Sequence, residues 1–304
     1  PGGSQTSTLR AGRKAEGIAS MRSMRPADTC GKPALALAAR QANAAAKISL
    51  MGGPGGDGSG RRKHTSSMFN PNPRIRSLPI DGDQQCWIVD DALADPRAWV
   101  ERAARVRDAF AMEDHNAYPG IELALPDAIT EGLAEFFAQH LRSRLDARRI
   151  QRAHSRLSLV TRQPQELQPR QWICHRDRMG LGPGHVVGAS VLYLFDDPRL
   201  GGTSFWRPRR PAREIDLLVH ESGELSPAEF SRKYGIAPGY IRESNAWFEH
   251  LVTVPPAFNR LICYDGTLFH CSDIPAPELL SDDPTRGRLT LNGFFHCTRR
   301  AGAA

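Results

Sequence analysis

From about residue 155 the chain is cut into short runs by Gly, Pro and Asp: SRLSLVTR, RQWICHRD, HVVGASVLYLF, TSFWRP, RLICYDG, TLFHCS and GRLTLNGFFH. Each is rich in β-branched or aromatic residues and too short for a stable helix. Seven such strands at this spacing specify a sandwich, barrel or jelly roll rather than a parallel sheet. The last run also alternates: Arg288, Thr290, Asn292 and Phe294 fall on one face, Leu289, Leu291 and Phe295 on the other. A polar row facing a barrel interior is expensive unless something charged waits there.

The preceding segment reads differently. Order is expected from near residue 78, with CWIVDDAL as a short strand. In DPRAWVERAARVRDAF, Asp95 is placed as N-cap and Pro96 in the first turn, with Trp99, Ala103 and Val106 on one face. AYPGIELALP is extended, and DAITEGLAEFFAQHLRSRLDARR predicts a second helix burying Leu133, Phe136, Phe137 and Leu141. Within the β region, SPAEFSRKYG and GYIRESNAWFEHL form a polar, helix-forming insertion over roughly residues 226–251. The expectation is one α+β domain over 78–298, with helices in 78–154 and a β core in 155–298.

Residues 1–67 hold eleven Lys or Arg against three Asp or Glu, whereas residues 68–304 hold 29 against 30. The net charge of +7 therefore belongs to the tail, and nucleic acid is not an expected partner of the folded part. The tail has no aromatic residue or sustained amphipathic period and is expected to be disordered. It reads as an over-extended gene start with Met68 as the real one, ahead of a transit peptide or a basic arm. Cys30, Cys86, Cys174, Cys263, Cys271 and Cys297 show no C-x-x-C pair, which suits free thiols in a reducing compartment. No apolar run approaches the roughly 20 residues that cross a bilayer, so a cytoplasmic protein with no membrane partner is expected.

The tripeptide His175-Arg176-Asp177 admits two chemistries. A kinase catalytic loop needs Asn five residues after the aspartate, and position 182 is Gly; the Gly-rich loop and the D-F-G motif are missing too. A lone H-x-D is weak evidence for metal, but on a strand His175 and Asp177 project together while Arg176 points away. One imidazole and one carboxylate are two-thirds of the facial triad that holds non-haem Fe(II). His270, closing LICYDGTLFH, is the best placed third ligand. Arg288 offers a planar fork to a carboxylate, with Thr290 two positions on; Arg286 has the same parity and is a rival.

H-x-D, a distal His and Arg-x-Thr together resemble the Fe(II)/2-oxoglutarate-dependent oxygenase superfamily. The segments ASVLYLFDDPRLGGTSFW and VTVPPAFNRLICYDGTLFHCSDIP are similar to its prolyl-4-hydroxylase-like branch, over roughly residues 155–298. The resemblance implies a double-stranded β-helix, a jelly-roll or cupin-like barrel, flanked by N-terminal helices and with the helical insertion before the distal His strand. It implies Fe(II) on His175, Asp177 and His270, and the C5 carboxylate of 2-oxoglutarate on Arg288, supported by Thr290. Tyr193 is implied as a further hydrogen-bond donor to the cosubstrate. The branch often has Lys where Arg288 stands, and the insertion is unusually long.

The implied reaction consumes O2 and 2-oxoglutarate, with ascorbate as an in vitro aid, and releases succinate and CO2. It hydroxylates a C–H bond of a small molecule or peptidyl residue. Related halogenases carry a small residue in place of the carboxylate, so Asp177 favours hydroxylation. A cupin-type metal enzyme without 2-oxoglutarate and an idle binding barrel are the alternatives. Entrance candidates are Tyr118, Trp206, Arg207, Arg209 and Arg210, with Tyr234, Tyr240 and Trp247 from the insertion.

Overall fold

A computed structural model describes residues 68–112, 117–177, 182 and 184–299; the basic tail and most of the MGLGPG loop lie outside the described residues. Ten strands form two antiparallel sheets. The main sheet has the order β1-β2-β8-β5-β10-β4-β3, built from β1 (Ile75–Asp81), β2 (Gln84–Val89), β3 (Gly120–Ala124), β4 (Ala147–Val160), β5 (His185–Tyr193), β8 (Arg260–Asp265) and β10 (Arg288–Arg299). The smaller sheet has the order β7-β6-β9, from β6 (Thr203–Pro208), β7 (Phe248–Val254) and β9 (Phe269–Ser272). Ile88, Tyr193 and Ile262 of the main sheet share an apolar cluster with Phe205 and Val254 of the smaller one, so the two sheets face each other in a jelly-roll-like arrangement.

Helices close the outer faces. The side chain of Asp95 accepts from Ala98 N at 3.1 Å and starts α1 (Pro96–Arg105), which buries Trp99 and Ala103. Helix α2 (Asp127–His140) buries Leu133, Phe136 and Phe137 against Leu289, Leu291 and Phe295, the apolar face of β10. The Phe137 and Phe295 rings stack at 4.1 Å. Helices α3 (Ala212–Glu221) and α4 (Pro227–Tyr234) cover the other side of the smaller sheet, packing Leu218 and Phe230 around Phe248 and Phe269.

Six expectations need correction. Order begins before residue 78, because β1 starts at Ile75 and Phe69 is buried in the α1–α2 core. The second helix does not reach Arg149: Asp146 adopts the left-handed conformation (φ +53°) and turns the chain into β4. The part before residue 155 is not purely helical, since β1, β2, β3 and half of β4 belong to the main sheet. The insertion starts earlier, with α3. GYIRESNAWFEHL is not a helix: Asn245 Oδ1 accepts from the backbone N–H of Trp247 and Phe248, and the β-branched residues beyond pair with β6 as β7. Finally, RQWICHRD is not a regular strand but a 3₁₀ turn at Pro169–Gln171 followed by one isolated bridge at His175.

Candidate metal centre

His175 and His270 pair across that bridge, with His175 N donating to His270 O at 3.0 Å and His270 N to His175 O at 2.9 Å. Two residues on, Asp177 N donates to Gly266 O at 2.7 Å. These bonds give the stretch a strand's local geometry without a strand, so His175 and Asp177 project together as alternation requires. Glycine at 266 leaves room for this approach: a Cβ there would lie 3.0 Å from Asp177 Cβ and 3.1 Å from its Oδ2, so the Asp177 side chain would have to give way by a few tenths of an ångström. Arg176 points the other way, donating to Asp216 at 2.7 Å and lying over Phe269.

One ligand atom from each of His175, Asp177 and His270 lies within 4.8 Å of the other two. Asp177 Oδ2 is 3.6 Å from His270 Nε2, and Asp177 Oδ1 is 3.9 Å from His175 Nε2. His270 Nδ1 donates to the Leu268 carbonyl at 2.8 Å, which leaves Nε2 as the free lone pair facing the carboxylate. Asp177 is 11 % exposed, and its Oδ2 is buried with no hydrogen-bond partner. Burial holds the Asp177 carboxyl above its ordinary range, against the opposing pull of His270 and Arg156. Burial also pushes His175 well down, helped by His270 and Arg156, and so favours neutral imidazole. Two imidazoles around an orphaned carboxylate oxygen form a donor set that fits a divalent cation.

The three residues line a cavity between the sheets that opens to solvent. The polar face of β10 forms one wall: Arg288, Thr290, Asn292 and Phe294 all line it, as the alternation predicts. Arg288 is 1 % exposed. Its Nε donates to Gly201 O at 3.1 Å and its Nη2 to Gly202 O at 2.6 Å, and no acid lies within ion-pair reach among the described residues. Gly201 (φ +79°) allows the turn that aims those carbonyls at Arg288, and a Cβ on it would strike the Asp273 carbonyl. Arg286 is exposed and sits 3.8 Å from Asp283, away from the cavity.

A family model described as a family of unknown function, DUF6445, matches residues 71–295. The chain belongs to the DUF6445 family. No curated protein matches the sequence of this DUF6445 chain. Among solved structures it is similar to a Pseudomonas putida prolyl-4-hydroxylase at 17 % identity and a TM-score of 0.34, over 68 % of this chain and 86 % of that one. It is also similar to SnoK, a non-haem α-ketoglutarate-dependent carbocyclase from nogalamycin biosynthesis, at 13 % identity and a TM-score of 0.39, over 73 % and 84 %. The epimerase SnoN of the same biosynthesis scores 0.36 at 13 % identity, over 72 % and 82 %.

Tyr193 does not reach the cavity wall in this DUF6445 chain: it is fully buried, its hydroxyl 2.8 Å from Thr203 Oγ1, and it is Thr203 that lines the cavity. Sequence reasoning missed Tyr264, whose ring meets that of His270 edge-on at 4.8 Å, and Arg156. Arg156 carried a readable signal. Arg152, His154, Arg156 and Ser158 alternate along β4 as the polar residues do along β10, and the register sets Arg156 opposite Asn292.

Proposed function

We propose that this chain is an Fe(II)- and 2-oxoglutarate-dependent oxygenase that hydroxylates a C–H bond of a small molecule or peptidyl residue, releasing succinate and CO2. The observation that carries this reading is the presence, in one cavity, of a His-Asp-His cluster and a buried arginine with no acid partner. A guanidinium taken out of water and given two carbonyls and the faces of Tyr193 and Phe195, with no acid among the described residues, is costly, and a bound carboxylate would offset that cost. 2-Oxoglutarate brings a carboxylate at the end remote from its 2-oxo acid group, so one molecule can satisfy both features.

His175, Asp177 and His270 would hold the iron, leaving positions open for the 2-oxo acid and dioxygen. When bound, the iron supplies the oxidising chemistry that couples decarboxylation of 2-oxoglutarate to substrate hydroxylation. The remaining work falls to the chain. Arg288 and Thr290 would fix the C5 end, with the Thr203 hydroxyl beside them in place of Tyr193. The Leu268 carbonyl keeps the His270 proton on Nδ1. Tyr264 and Phe294 exclude water beside the cluster. A carboxylate at position 177, where halogenases carry a small residue, favours hydroxylation.

The test is succinate release from purified full chain given Fe(II), ascorbate and 2-oxoglutarate, compared with Asp177→Ala. Release that needs both Fe(II) and Asp177 is expected. An Asp177→Ala variant with unchanged metal content and turnover would sink the reading.

A further inference from the structure

Arg156 is the one charged side chain of the cavity wall that the reading above leaves without a task. It stands on β4 directly across from Asn292, four register pairs along β10 from Arg288, and its charge bears on both His175 and Asp177. The side chain is 30 % exposed. Its Nε lies 2.9 Å from Glu122 Oε1 as an ion pair, without the alignment of a hydrogen bond, and Glu122 accepts in turn from Ser158 Oγ at 3.1 Å. Asn292 Nδ2 donates to that same Ser158 hydroxyl at 2.8 Å. The guanidinium lies over the Phe294 ring, 4.9 Å from its centroid.

This is a built arrangement. Two neighbours, Glu122 and Phe294, contact the guanidinium, while Nη1 and Nη2 make none of the hydrogen bonds or ion pairs found among the described residues. A fork with one edge anchored and the other turned to a cavity is suited to bidentate capture of an oxyanion. The surroundings favour negative charge as well. Outward from Arg156 on the same face come Arg152 on β4 and His296 on β10. The acids near this face are Asp177 of the cluster, Glu122, which is paired with Arg156 itself, and Asp265, which already has Arg299 at 3.9 Å.

We propose that Arg156 anchors the substrate, and that the substrate carries an oxyanion, a carboxylate or a phosphate, which the Nη1–Nη2 edge receives beside the His175–Asp177–His270 cluster. The proposal rests on the oxygenase reading for the word substrate, but the anion site does not depend on it. Arg288 takes the cosubstrate, and Arg156 takes the molecule to be oxidised. A neutral or cationic substrate would gain nothing from this fork.

Arginine reactivity tests the assignment residue by residue. Full chain with Mn(II) and saturating 2-oxoglutarate is treated with phenylglyoxal at fixed ionic strength, and modification rates at Arg156 and Arg152 are mapped by peptide mass. Inorganic phosphate or acetate should slow Arg156 at least fivefold and leave exposed Arg152 within twofold. The probe that protects more strongly names the anion. An Arg156 rate indifferent to both probes overturns the proposal, and so does protection by Mn(II) and 2-oxoglutarate alone, which would make Arg156 the cosubstrate's arginine. Calorimetry of Mn(II) and 2-oxoglutarate on the same preparation keeps the two readings apart. If no complex forms, the oxygenase reading falls, while protection by phosphate or acetate still decides the anchor.

Discussion

His270 donates its Nδ1 proton to the carbonyl of Leu268, two residues back in the chain, and this bond aims Nε2 at the Asp177 carboxylate 3.6 Å away. The tautomer of one candidate ligand is thus set by its own main chain, and the pair it forms with Asp177 is the tightest of the cluster. On the proposed reading, Asp177→Ala and His270→Ala should each bring bound Fe(II) or Mn(II) from about one per chain to near zero, read by metal analysis of anaerobically prepared protein. Circular dichroism should be unchanged, because the backbone bridge does not use these side chains.

Gly266→Ala separates position from chemistry. The added methyl would meet Asp177 at 3.0–3.1 Å, closer than most real contacts, so the carboxylate has to move. Metal affinity should fall at least tenfold although every ligand is still present. Titration with Mn(II) followed by electron paramagnetic resonance reads it, and wild-type affinity in the variant would refute the steric role given to this glycine.

Arg288 and Arg286 share a parity in sequence and differ wholly in setting, one buried in the cavity and the other exposed beside Asp283. Arg288→Met should weaken 2-oxoglutarate binding by tenfold to a hundredfold in the presence of Mn(II), the loss expected for a charge-assisted bidentate contact. Arg286→Met should stay within twofold of wild type. Calorimetry with both variants measures the contrast.

His154 gives a pH prediction away from the metal cluster. Burial, with Arg156, His296 and Arg152 around it, lowers its pKa to about 4. The unfolded chain then takes up the proton near the ordinary histidine value while the folded chain refuses it, so stability falls as pH drops from about 6.5 toward 4. His154→Phe keeps a ring to stack on Phe294, which lies 4.7 Å away, and removes the titration. Its urea midpoint should decline less than that of wild type across this window, and parallel pH profiles would contradict the account.

The alternation in GRLTLNGFF was legible because β10 lies centrally, with one face against α2 and the other on the cavity. The same rule placed His175 with Asp177 correctly even though the segment is no strand, since one bridge and the Gly266 contact enforce the same local geometry. Helix ends were less readable. A left-handed Asp146 and an Asx turn at Asn245 decide where β4 and β7 begin, and neither residue is marked by hydrophobic period. The alternation along β4 put Arg156 on a polar face, but only the register opposite Asn292 shows that this face turns to the cavity rather than to solvent.

Main-chain hydrogen bonds tie together the two stretches that carry the cluster, a reciprocal pair between residues 175 and 270 and a third from 177 to 266, with Arg176 laid over Phe269 beside them. Any side chain that fits the space can therefore occupy those positions without disturbing the fold. Architecture and reactivity are separable in such a molecule, and a relative could trade away its metal through a single codon and still fold. Within this family, shared shape is thus no warrant of shared chemistry; positions 175, 177 and 270 have to be inspected one chain at a time.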